Sequence, residues 1–76
     1  MEINYREMKL DMIRKLTLYL EYACKHKAAR DRSLFDILLG QASAIKVILE
    51  DYFDFYESNY SEYLRSMIEV VMYEEW

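Results

Sequence analysis

The stretch Ser33-Leu34-Phe35-Asp36-Ile37-Leu38-Leu39-Gly40-Gln41-Ala42-Ser43-Ala44-Ile45-Lys46-Val47-Ile48-Leu49-Glu50-Asp51-Tyr52-Phe53-Asp54-Phe55-Tyr56 decides the fold. Leu34, Ile37, Leu38, Ile45, Ile48, Leu49, Tyr52, Phe55 and Tyr56 recur at the 3.6-residue period of an α-helix and predict one apolar face. Gly40 and Gln41 interrupt it, Gln41 falling in its middle. The helix either runs on through Gly40 with a kink where a neighbouring backbone comes close, or stops at Leu39 with Gly40 as its C-terminal cap and restarts near Ser43. The continuous, kinked helix is the expectation and the broken one the alternative.

Upstream, Tyr5, Met8, Met12, Ile13, Leu16, Tyr19, Leu20, Ala23 and Cys24 fill one stripe and predict a first helix over Tyr5 to Ala28. Asn4 and Glu7 have capping-box spacing, in which the Asn side chain accepts from an orphan backbone N–H and the Glu reaches back. Glu7, Asp11, Arg14, Glu21 and Lys25 form its wet side. Between Lys25 and Arg32 the stripe fades and positive charge gathers, favourably placed at the negative end of the helix dipole. Asp31 or Ser33 is the expected cap of the second helix, with Asp36 three residues beyond Ser33. Downstream, Asn59 and Glu62 repeat the box and predict a third helix whose stripe is Tyr60, Tyr63, Leu64, Met67, Val70 and Val71. The pattern predicts an all-α fold, a small antiparallel three-helix bundle forming one domain over residues 1–76.

Two helices of about 25 residues are close to 37 Å long, whereas a third of about 16 residues reaches roughly 24 Å. The third therefore leaves part of the hairpin's apolar face without a lid, and a second copy of the chain is the expected one. A chain of 9.3 kDa buries only about 60–65% of its unfolded surface, so self-association also helps so small a core. A homodimer follows as an expectation.

Charge reverses along the sequence. Residues 1–32 carry eight Lys/Arg against five Asp/Glu, and residues 33–76 carry two against nine, for a net charge of −4. That balance argues against general affinity for nucleic acid or acidic membranes. The single cysteine, Cys24, excludes an internal disulfide framework, and no apolar run approaches the roughly 18 residues that span a bilayer. A cytoplasmic protein without a membrane segment is expected.

Catalytic chemistry finds no footing. Cys24 and His26, two residues apart on a helix, point to nearly opposite sides, and neither a zinc site nor a nucleophile pair can be assembled from them. They read as a small core residue and a solvated helix-end residue. A di-iron bundle needs Glu-x-x-His, and Ala23 occupies the required position before the only histidine. No glycine-rich phosphate loop or serine elbow is present. Helix-turn-helix spacing around Gly40 fails at Asp36 and Gln41, where a small and an apolar residue are needed. No enzyme, cofactor or metal site is expected.

Two charged regions remain. Lys25, Lys27, Arg30 and Arg32, with His26, form a basic cluster able to grip phosphates, but it lacks aromatic residues for stacking, so nucleic-acid binding is the alternative. The stronger signal is the acidic-aromatic segment from Glu50 to Tyr63. On a helix, Glu50, Asp54 and Glu57 form an outward row with Asp51 beside it, while Tyr52, Phe55 and Tyr56 turn inward; Tyr60 and Glu62 extend the surface. Carboxylate rows attract basic protein surfaces, and tyrosines suit recognition sites. One carboxylate per about 5 Å is dilute beside the phosphate spacing of DNA, so close nucleic-acid mimicry is the weaker form of this reading. Leu18 with Tyr22, and Met72 with Trp76, are i, i+4 pairs off the stripes and mark candidate subunit or partner contacts. The expected function is an inhibitor- or adaptor-type interaction module that meets a basic surface, such as that of a nucleic-acid-handling enzyme.

Overall fold

A computed structural model describes residues 4–76, and the fold is all-α. Helix α1 spans Tyr5–Ala28, the bounds that its stripe predicts. Asn4 caps it by accepting from the Glu7 backbone N–H at 3.1 Å. The helix ends in a left-handed turn at Arg30, φ 58°, where the Asp31 N–H closes back on the His26 carbonyl at 2.9 Å. Asp31, rather than Ser33, then caps the next helix through the Leu34 N–H at 3.3 Å.

Helix α2 spans Arg32–Phe53 and runs unbroken through Gly40, which excludes the break. Gly40 does not have a positive φ, and a Cβ added there would meet nothing within 4 Å. Neither a cap nor a close backbone among the described residues accounts for this glycine. The buried face of α2 matches the predicted one in part: Ile45 and Leu49 are buried and Leu38 and Ile48 pack on the core as predicted, but Phe35, Ala42 and Phe53 are buried too, whereas Leu34, Ile37 and Tyr52, with Tyr56 beyond the helix, are exposed. The helix is apolar over a wide arc, and the close packing of α1 on α2 selects the side with the small residue Ala42. The wider stripe left outside has no partner among the described residues.

After Phe53, Asp54 adopts the left-handed conformation with φ 50°, and the Phe55 N–H reaches the Leu49 carbonyl at 2.9 Å. A 3-10 turn follows at Glu57–Asn59, where the Asn59 side chain accepts from the Tyr56 N–H at 3.0 Å. Asn59 is thus committed to that turn, and Ser61 caps α3 instead, through the Leu64 N–H at 3.2 Å. Helix α3, Glu62–Ile68, is shorter than predicted and continues as a π-helical segment, Glu69–Tyr73. Leu64, Met67, Ile68 and Val71 face the core, and Ile68, absent from the predicted stripe, is 1% exposed.

This C-terminal segment lies along α1 toward the hairpin turn. Tyr63 donates to Glu21 at 2.7 Å, and Lys27 Nζ donates to the Val70 carbonyl at 2.5 Å. At its end the Trp76 ring packs 4.7 Å from that of Phe35, with the Arg32 guanidinium 5.3 Å above it. One side of the hairpin is therefore covered and the other is bare. The Cα trace measures 44 × 25 × 17 Å, and the accessible surface is 5529 Å². A compact chain of this mass has about 5,000 Å². No helix among the described residues is long and apolar enough to cross a membrane.

Candidate interaction surface

The predicted carboxylate row does not form, because α2 ends at Phe53, before Asp54 and Glu57 can join it. Lys46 takes two of its members. Its ammonium lies 3.5 Å from Glu50 and 3.5 Å from Glu57, tying α2 to the 3-10 turn. Burial alone would lower the Lys46 pKa, but Glu57 and Glu50 together outweigh it and hold the pKa above the ordinary lysine value. Glu57 also accepts from the Tyr73 hydroxyl, which raises that phenol's pKa. Glu50 and Glu57 therefore serve the chain's own packing.

Tyr60 is likewise not on the surface. It is 4% exposed, its ring lies 5.2 Å from that of Phe55, and its hydroxyl has no partner among the described residues. Burial first, then the charges of Glu50 and Glu57, push its pKa up to about 12. Of the anticipated partner-binding residues, Asp51, Asp54 and Glu62 are exposed and have no cation within 4 Å among the described residues.

Two residues expected to turn inward stand beside Asp51 and Asp54, whereas Glu62 sits apart from them at the start of α3, next to the Tyr63 that bonds Glu21. Tyr52 is 72% exposed at the last turn of α2, the most exposed of the large apolar side chains, and Tyr56 is 48% exposed, with its hydroxyl 3.5 Å from Asp54. The Tyr5 hydroxyl donates to the Tyr52 carbonyl, and the Tyr5 ring packs 4.6 Å from that of Phe53, which fixes the backbone carrying this knuckle. Lys9 sits over the Phe55 ring at 4.8 Å and holds the returning chain against α1. The result is a projecting turn, Asp51-Tyr52-Phe53-Asp54-Phe55-Tyr56, in which acidic and phenolic groups alternate outside and the two phenylalanines anchor it. The alternation is visible in the sequence; it was hidden by reading the helix past Phe53.

The basic cluster is divided between structure and surface. Lys27 holds the carbonyls of Val70 and Glu74, and Arg32 stacks on Trp76 and lies 3.8 Å from Asp36. Lys25 and Arg30 remain exposed. His26 is half-buried, 3.8 Å from Asp31, rather than solvated. Cys24 is half-buried against the core, and burial raises its thiol pKa, which keeps it in the inert form. Among the described residues no group of three or more His, Cys, Asp or Glu side chains is placed to hold a metal ion.

The two apolar pairs separate. Leu18 and Tyr22, 44% and 45% exposed, line an open groove of about 600 Å³ with Glu21, Lys25, Tyr63 and Met67. Met72 and Trp76 do not form a joint patch, because the π-helical segment ends at Tyr73; Met72 packs on the core and Trp76 on Phe35. The chain matches no protein-family model, no curated protein and no solved structure.

Proposed function

We propose that this chain is a non-enzymatic protein–protein interaction module of the inhibitor or adaptor type, which docks on a basic surface of a macromolecular partner through the knuckle at the open end of its hairpin. Asp54 supplies the charge of the knuckle, with Asp51 at its margin and Glu62 extending the acidic surface from the start of α3; Tyr52 and Tyr56 supply contact area and direction. The observation that carries this reading is the division of labour among the carboxylates: Lys46 holds Glu50 and Glu57, whereas Asp51, Asp54 and Glu62 have no cation partner among the described residues. A tyrosine standing 72% exposed beside such carboxylates has no evident role in the chain's own packing. A nucleic-acid-handling enzyme is one class of partner with a suitable basic channel.

The test compares the native protein with Asp54→Lys/Glu62→Lys, immobilised and exposed to the native lysate at low and moderate salt. Proteins retained by the native chain alone, at least about tenfold depleted on the variant and released by salt, are the expected outcome. Identical capture with helicity preserved overturns the proposal. A gel shift with DNA and RNA, weakened by Lys25→Glu/Arg30→Glu, would assign the activity to the basic cluster instead.

A further inference from the structure

We infer that the bare side of the α1–α2 hairpin is the docking surface for a second copy of this chain, with α2 packed antiparallel on α2 of the partner copy about an axis near Gln41. Positions 34, 37, 41, 44, 48 and 52 follow helical spacing and form one stripe on α2, turned away from Phe35 and Lys46, where the C-terminal segment rests. Within it Leu34, Ile37 and Tyr52 are 44%, 58% and 72% exposed, above half-buried Ile48. On α1 the same side carries Met8, 43% exposed, and half-buried Tyr19.

Size, charge and backbone all suit this occupant. A face about 33 Å long and two helices wide, roughly 20 Å, buries about 1,300 Å² over both copies, within the range of specific dimers. From Ile37 to Ala44 the exposed side of α2 carries no charge, and once Arg32–Asp36, His26–Asp31 and Lys46–Glu50 are paired within the chain its ends keep one charge each of opposite sign, Arg30 at one and Asp51 at the other, neither with an ion-pair partner among the described residues. Antiparallel stacking of like helices sets each basic end on the partner's acidic end. A two-fold axis along the helices would instead bring the two basic turns together, and like charges would oppose it. Gly40, which no contact among the described residues explains, borders this stripe beside Ala44 midway along the helix, where small side chains let two helices approach closely. The inference goes beyond the proposed partner binding and leaves Asp54, Tyr56 and Glu62 outside the contact; Asp51 and Tyr52, at the end of the stripe, are the side chains that the two surfaces share.

Sedimentation equilibrium of the native protein from 1 μM to 1 mM tests it. A monomer–dimer equilibrium is expected, with Ile37→Lys and Ala44→Glu each weakening it about 100-fold or more by burying an unpaired charge, while Asp54→Lys/Glu62→Lys leaves it unchanged. A monomer throughout, or a dimer indifferent to both α2 substitutions, overturns the inference. Orientation is read by mixing Leu34→Cys and Ile48→Cys proteins, each also carrying Cys24→Ser, under mild oxidation. Mixed Leu34→Cys/Ile48→Cys disulfides are expected to dominate; predominance of Leu34→Cys homodimers overturns the antiparallel arrangement. Because Ile37 and Ala44 lie away from the knuckle, loss of dimer with partner capture retained, or the reverse, shows which of the two readings has failed.

Discussion

On the buried side of α2, Phe35, under Trp76, and Phe53, against Tyr5, are 6% and 8% exposed; one helical step away, Leu34 and Tyr52 are 44% and 72% exposed. Both sides are comparably apolar, and the described residues supply a cover for only one. The difference teaches that hydrophobic periodicity marks which faces need burial without saying which segment buries them. In a chain this small, one returning segment can satisfy one face only.

The comparison can be broken most directly by truncating a core residue on each side. Ile68→Ala, under the covered face, is expected to lower unfolding stability by about 2–5 kcal/mol, whereas Ile37→Ala in dilute solution changes it by no more than about 0.5 kcal/mol. Urea titration at micromolar concentration measures both; equal losses would mean that the two sides are equally buried.

Alkaline pH reaches the covered side alone. The folded Tyr60 phenol has its pKa raised from 10.0 to about 12, so stability is complete below pH 10 and is lost as pH rises from 10 to 12, by an amount on the order of 2 kcal/mol. Lys46 acts in the same direction, since its pKa is raised from 10.5 and its ion pairs disappear as the ammonium deprotonates above that value. Urea midpoints recorded from pH 8 to 12 are expected to fall beyond pH 10, and less steeply in Tyr60→Phe.

Trp76→Ala is expected to cost about 1–2 kcal/mol, the combined worth of its contacts with Phe35 and Arg32. Faster amide exchange confined to residues after Ile68 would sharpen the distinction between cover and hairpin. The smallest effect belongs to the bare side. Gly40→Ala is expected to stabilise the dilute monomer by about 0.5–1 kcal/mol, because the position is helical and the space beside it is open. A destabilisation in thermal unfolding would mean that something already occupies that space.

Much of the fold was legible. The α1 stripe and Asn4 fixed the first helix because a one-sided pattern bounded by a cap leaves no choice. The face of α2 was legible only at Leu38, Ile45, Ile48 and Leu49: apolar residues from Leu34 to Leu49 surround most of the helix, and Ala42, the most deeply buried among them together with Leu49, carries little hydrophobic signal. The end of α2 was missed because left-handed turns ordinarily announce themselves with glycine, and here Asp54 adopts one. That one miss displaced Tyr52, Tyr56 and Glu57 and produced an acidic row that the fold does not contain. The exposure of Asp51 and Glu62 could be anticipated, whereas the capture of Glu50 and Glu57 by Lys46 depends on where the chain turns back and could not.

Lys27, Lys46 and Phe35 hold the C-terminal segment from three stations along the helical pair, and none of them belongs to the segment itself. Contacts between α1 and α2 span a short loop and carry little closure entropy, so they form early, while those of the tail must wait for a prepared platform. The molecule should accordingly come apart in sequence, shedding its last twenty or so residues before the two long helices separate.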